Sequence, residues 1–264
     1  MYSQSKIIPT QTNQSSDKLL SLIELLSEQS EPIRLQDISR LSNMNASTAL
    51  RFLSALSRRG YVAQEESTGR YYLTLKLCNL TQNISSQFDL RTIALPFLRS
   101  IADEFNESCH LAVESTLSVL YIETVSSSSR TLSSPQRVGK LAPLYCTGVG
   151  KLFLTEYSSD ELERLISVMQ FEKFTQSTIT TVPALLAELE SVKKLGYAYD
   201  NEECEEGLRC IAAPVRDYTG KIVAAISVSG PTTRMTDDYI LEHLPFLINA
   251  TKKLSTQIGW SKIS

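Results

Sequence analysis

Apolar positions recur at helical spacing through the first sixty residues and then change period. Leu19, Leu20, Ile23 and Leu26 mark one face of a helix that starts near Ser16 and Asp17. Leu35, Ile38 and Leu41 form a second stripe, which Ser42, Asn43, Met44 and Asn45 interrupt. From Ala46 the spacing resumes through Leu50, Leu53 and Leu56, and Gly60 stops it. Asn45 is placed to cap this third helix, because its side-chain oxygen accepts amide hydrogens that a first turn leaves without partners. Residues 61–64 and 70–73 then read as a hairpin turned at Gly69. Leu75, Leu77, Leu80 and Ile84 give a linker helix with little core of its own.

Beyond residue 88 helices and strands alternate. A helix is predicted over 90–105, kinked or restarted at Pro96, followed by strands over 109–114, 119–125 and 138–141. Helices follow at 147–155, 159–169 and 184–195, then a short extended segment at 197–200. Strands 210–216 and 222–229 flank Asp217, Tyr218, Thr219 and Gly220, a strong hairpin signal. An amphipathic helix over 236–257 closes the chain through Ile240, Leu244, Leu247 and Ile248. Hairpin-paired strands with helices around them predict an α+β fold. The expected divisions are a disordered polar lead over 1–15, a trihelical unit with its hairpin wing over 16–74, a linker helix over 75–88, and a sheet domain over 89–260.

Charge sharpens this division. The chain of 264 residues carries a net charge of −3, which argues against a wholly basic nucleic-acid coat protein. Residues 1–80 hold 9 Lys+Arg against 7 Asp+Glu, a net of +2, and the remainder holds 17 against 22, a net of −5. That split suits a small DNA-binding module joined to a larger domain that does not touch DNA. The five cysteines, at 78, 109, 146, 204 and 210, form no CxxC pair, so neither a zinc ribbon nor a secreted disulfide framework is indicated. No signal-peptide core or membrane-spanning run is present, and the expectation is a cytoplasmic protein with reduced thiols and no membrane partner. His110 and His243 lie far apart with no matching carboxylate spacing, so no metal or other cofactor is expected.

Helix, tight turn, helix and hairpin is the pattern that holds one helix in a DNA major groove. Ser47, Thr48 and Arg51 fall in the first two turns of the third helix, the part that contacts base edges. Arg58 and Arg59 at its far end suit phosphates or the helix dipole. Arg70, beside the hairpin tip, suits a minor groove or a phosphate. The bland alternative is a three-helix unit for protein contacts, with ordinary solvated arginines.

The N-terminal winged pattern, then LYCTGVGKLFL, YAYDNEECEEGLRCIAAPVRD and IVAAISVSGP, in that order, resembles the IclR family of bacterial transcription regulators over residues 16–258. Within the family the stretches YVAQE, YYLTLKL and DNEECEEGLRCIAAPV are similar to regulators of sugar-acid catabolism, such as those that answer to 2-keto-3-deoxygluconate. The resemblance implies a winged helix-turn-helix that binds a double-stranded operator and a GAF-like effector-binding domain. It also implies dimers that often pair into tetramers, and a small carboxylic effector, a sugar acid or an aromatic acid. It places Asp200, Cys210, Ser227 and Ser229 in the effector cavity.

Their chemistry is coherent with that placement. Ser227 and Ser229 are two apart on a strand and share a face, and backbone amides near Gly148 and Val149 at a helix start attract a carboxylate. The competing readings are glycines needed for tight packing, Cys210 as a small buried hydrophobe, and serines on an exposed strand face. The acidic run at Glu202, Glu203, Glu205 and Glu206 reads as a solvated loop, or as a pocket rim countered by Arg209. A rival from another class is a thiol-dependent enzyme using Cys210 or Cys146, for which no neighbouring base is visible.

Overall fold

The computed structural model describes residues 13–78, 89–127 and 138–261. These fall into two compact units, one ending before Asp89 and one beginning there. Most of the expected 1–15 lead and of the 75–88 linker helix lies outside the described residues. Residues 76–78 are helical, and the first helix begins at Gln14, with Asn13 as its cap.

In the N-terminal unit, α1 (Gln14–Ser27) is capped by Asn13, whose side chain accepts from the amides of Ser15 and Ser16. The turn between α2 (Leu35–Leu41) and α3 (Ala46–Arg58) is tight because Asn43 adopts a left-handed φ of 52°, a conformation asparagine tolerates better than most residues. Met44 tucks into the core from this turn, with Ser39 Oγ donating to its carbonyl at 2.5 Å. Leu22, Leu26, Ile38, Ala49, Phe52, Leu53, Leu56, Val62 and Tyr71 complete that core.

The sequence pattern misplaces three residues here. Leu20, Leu41 and Leu50 are 57%, 53% and 43% exposed, while Leu22, Ala49 and Phe52 take the inward positions. Each misread stripe is out by a residue or two, because several leucines fit a helical period and only packing decides among them. The wing pairs β1 (Val62–Gln64) with β2 (Tyr71–Leu73), and an antiparallel bridge from Ile33 to Tyr71 adds a third edge.

The C-terminal unit is a six-stranded antiparallel sheet. In chain order its strands are β3 (Ser108–Ser115), β4 (Ser118–Val125), β5 (Leu141–Pro143), β6 (Ala198–Asn201), β7 (Leu208–Arg216) and β8 (Ile222–Pro231). Across the sheet they lie in the order β5, β4, β3, β8, β7, β6. Alternation along the central strands sends Cys109, Leu111, Ile211, Ala213, Ala224, Ile226 and Val228 to one face, against α4 (Leu90–Phe105) and α8 (Asp237–Gln257). The helix α4 runs unbroken through Pro96 instead of restarting there. Beneath the other face lie α5 (Gly148–Leu154), α6 (Ser159–Val168) and α7 (Val182–Leu195).

That second face is lined centrally by alanines, at 112, 198, 212 and 225, so a helix approaches it closely. The third strand begins at Leu141, later than the expected 138–141 segment. No helix among the described residues is long and apolar enough to cross a membrane.

Candidate DNA-reading and effector sites

The third helix presents two chemically distinct sides. Ala49, Phe52, Leu53 and Leu56 anchor one side in the core, while Ser47, Arg51, Arg58 and Arg59 are exposed and Thr48 is half-buried. Asn45 caps the helix as expected, accepting from Thr48 N at 2.8 Å and from Ser47 Oγ at 2.9 Å. The wing tip is braced: Gln64 Nε2 donates to Gly69 O at 2.8 Å, and Glu65 N donates to Arg70 O at 2.8 Å.

One cation escaped the reading of the sequence. The Ile33–Tyr71 bridge sets Arg34 and Arg70 at facing positions, although 36 residues separate them in the chain. Neither arginine has an ion-pair partner among the described residues, and the Arg70 Nε is buried without a hydrogen-bond acceptor. Both line a groove of about 530 Å³ with Arg40, Glu31 and Asp37, the last two being its acids; Arg40 pairs with Asp37 at 3.2 Å. Like charges face to face repel, so this arrangement favours an anion between them.

In the C-terminal unit the strand register gathers residues that the sequence scatters. Asp200 faces Cys210, Cys210 faces Ser229, and Ser229 faces Ser108, forming one polar row across four strands. The adjoining row runs Ala198, Ala212, Ser227, His110 and Thr124, with His110 Nδ1 3.0 Å from Thr124 Oγ1. Ser227 and Ser229 are 3% and 2% exposed, which discards an exposed strand face, and Ser229 Oγ donates to Cys210 Sγ at 3.0 Å.

The first residue of α5 packs onto this second row. A Cβ on Gly148 would lie 3.0 Å from Ala198 O and 3.2 Å from the Ala212 Cβ, and one on Gly150 would lie 2.3 Å from Leu144 O. Close packing therefore requires both glycines, whatever else the segment does. Thr147 caps the helix by accepting from Gly150 N at 3.1 Å. The amides of Gly148 and Val149, in the first turn, have no intrahelical acceptor.

The acidic run divides. Glu205 and Glu206 are exposed, whereas Glu203 is 5% exposed and meets a fully buried lysine. Lys151 Nζ lies 2.6 Å from Glu203 Oε1 and 3.0 Å from Glu188 Oε1. Burial pushes the Glu203 carboxyl up to about 7, Lys151 opposes the shift and Asp200 adds to it. Burial works against the Lys151 ammonium, but Glu203 and Glu188 outweigh it and hold its pKa above the ordinary range. Asp200 Oδ1 accepts from Glu203 N at 2.8 Å, tying this pair to the polar row.

Arg209 is not the counter-charge to the run. Its guanidinium reaches Asn201 Oδ1 at 2.6 Å and Asp237 Oδ1 at 2.5 Å. Lys151 takes that role, and only its place one turn into α5, beneath the loop, reveals it.

A cavity of about 220 Å³ opens beside the polar rows, lined by Tyr121, Lys140, Pro143, Phe174, Cys204 and Glu205, among others. None of Asp200, Cys210, Ser227 and Ser229 lines it; they lie buried beside it. Tyr121 connects the two regions, its ring 5.7 Å from that of His110.

A trihelical winged unit with a polar helix face, followed by a separate sheet domain with a buried polar row, defines a DNA-binding regulator of two domains. Residues 15–66 match the IclR helix-turn-helix domain, and residues 82–256 match the bacterial transcriptional regulator IclR C-terminal domain. The chain belongs to the IclR family of transcriptional regulators. It is 36% identical over 243 residues to the HTH-type transcriptional regulator KdgR of Escherichia coli K12, covering 92% of each chain.

Among solved structures, Thermotoga maritima IclR aligns with 94% of this chain and all of its own, at 27% identity and a TM-score of 0.62. The C-terminal domain of E. coli KdgR aligns over 66% of this chain and all of its own, at 35% identity and a TM-score of 0.59. These families and relatives are regulators rather than enzymes, which removes the thiol-enzyme reading of Cys210 and Cys146.

Proposed function

We propose that the chain binds an operator as a homodimer or homotetramer, and that a small carboxylic acid of the sugar-acid class controls that binding. In this reading Ser47, Thr48 and Arg51 of α3 contact base edges. Asn45 fixes the start of the helix. Arg58, Arg59 and Arg70 contact phosphates, and Arg34 joins Arg70 in holding one. Phosphate contacts set position and salt dependence, while base contacts set sequence preference.

The effector is held by the Gly148 and Val149 amides, Asp200, Cys210, Ser227 and Ser229. The amides suit a carboxylate, and the aspartate and serines suit hydroxyls on a sugar acid. The KdgR likeness and the spread of hydroxyl partners favour a sugar acid over an aromatic one. The observation that carries the reading is the polar row itself: Asp200, Cys210 and Ser229 stand in register beside Ala198 and Ala212, against which the start of a helix packs.

Entry beside Cys204 and Glu205 gives the acid a route to that row. Preferential binding to one arrangement of the protein then shifts the population that grips DNA.

Two measurements test the two halves. Arg51→Ala is expected to weaken operator binding at least tenfold more than binding to random duplex; an equal loss on both assigns Arg51 to a phosphate instead. Saturating 2-keto-3-deoxygluconate is expected to raise the melting temperature of the wild type by several degrees but not that of Ser227→Ala/Ser229→Ala. Equal shifts in both proteins would remove the serines from the site.

A further inference from the structure

We propose that Cys146 and Cys204 form a reversible oxidation site, which a hydroperoxide converts to a disulfide that clamps the loop over 202–206 onto the start of α5. The two sulfurs stand 3.1 Å apart, and Cys204 Sγ lies 3.1 Å from the carbonyl oxygen of Cys146. Fifty-eight residues separate them, so only the tertiary fold makes them neighbours. A disulfide bond of about 2.05 Å requires the sulfurs to close by roughly 1 Å, within reach of side-chain rotation and a small loop adjustment.

Their environments differ in a way that orders the chemistry. Cys146 is fully buried, whereas Cys204 is half-buried and lines the cavity of about 220 Å³ together with Lys140. A small oxidant meets Cys204 first. Its thiolate attacks one peroxide oxygen, the O–O bond breaks, and the departing hydroxide takes a proton to leave as water. The resulting sulfenic acid is then attacked by the Cys146 thiolate, the S–O bond breaks, and a second water leaves. Two thiols and one hydrogen peroxide thus give one disulfide and two waters, each sulfur giving up one electron.

The contact with Cys146, burial and Asp200 together push the Cys204 thiol up, so little thiolate is present at neutral pH. The site therefore responds slowly, to sustained oxidant rather than to traces. Cys109 lies on the opposite face of the sheet, and Cys210 is engaged by Ser229. Cys78 is exposed and lies in the other unit.

The loop is already tied down from several sides. Thr175 Oγ1 donates to Glu202 O, and Thr178 Oγ1 donates to Glu203 O, each at 2.6 Å. Lys151 holds the Glu203 carboxylate from below. A covalent bond at Cys204 adds a further tie, at a residue that lines the cavity. If the acid enters there, the bond slows its entry; that consequence alone rests on the proposed effector site.

The test uses full-length protein carrying Cys78→Ser, treated with millimolar hydrogen peroxide for an hour, alkylated and digested for mass spectrometry. The expected result is a Cys146–Cys204 linked peptide that dithiothreitol dissolves and that is absent from both Cys204→Ser and Cys204→Ala. The oxidised protein should also melt several degrees higher and show at least tenfold slower amide exchange over 202–206. Hyperoxidised Cys204 with no linked peptide would overturn the site. A linked peptide without change in melting or exchange would overturn the clamp. A reduced protein that ignores 2-keto-3-deoxygluconate would instead count against the effector reading, because linkage and exchange are measured without any acid.

Discussion

The buried Lys151 is the residue on which the C-terminal domain's electrostatics turn. Two carboxyls, on Glu188 and Glu203, hold one ammonium that has no access to water, and Asp200 accepts from the Glu203 amide beside them. Removing the cation leaves buried carboxylate charge without compensation, so Lys151→Met is expected to cost about 3–5 kcal/mol in urea unfolding. Adding Glu203→Gln should return part of that loss; a double variant no more stable than Lys151→Met would mean the pair does not interact as described. Titration gives an independent check. The folded-state pKa of Glu203, about 7, lies above its ordinary value of 4.5, so between those values the folded state binds the extra proton. Stability contributed by that proton is present at acid pH and lost as pH rises through 7. The stability of wild type minus that of Glu203→Gln should fall on the order of 3 kcal/mol from pH 4.5 to 8. A flat difference would contradict the assignment.

At the scale of elements, caps and hairpins were legible because their causes are local. Asn45 before α3 and the Asp217–Gly220 turn between β7 and β8 need only neighbouring residues to form. Asn45→Ala is expected to cost about 1 kcal/mol of N-terminal unit stability, read by chemical unfolding. Operator affinity should fall with it, since the turn carrying the proposed base-contacting residues Ser47 and Thr48 is then less well held; unchanged stability would mean another group caps the helix. Leu20, Leu41 and Leu50 were misread for the opposite reason. In a leucine-rich stretch several helical phases score alike, and the facing elements choose the phase. The glycines of α5 belong to the same class: Gly148 and Gly150 signalled a helix start, but their need for room comes from Ala198, Ala212 and Leu144.

At the scale of the whole molecule, the described residues form separate apolar cores, one in the N-terminal unit and one on each side of the C-terminal sheet. Independent cores predict independent melting. Calorimetry should resolve a transition for the N-terminal unit and another for the C-terminal one, with an acid effector moving only the second. A single transition moved as a whole would show the units to be energetically fused.

The sequence by itself determined the winged helix-turn-helix, the α+β sheet domain and the basic-to-acidic charge split. Periodicity, caps and turn chemistry act over a few residues and need no distant partner. The tertiary structure alone decided that Arg34 faces Arg70, that Lys151 neutralises Glu203, and that Cys146 touches Cys204. Those pairings join positions 36 to 58 residues apart, and their energies depend on register and burial, which no local pattern carries.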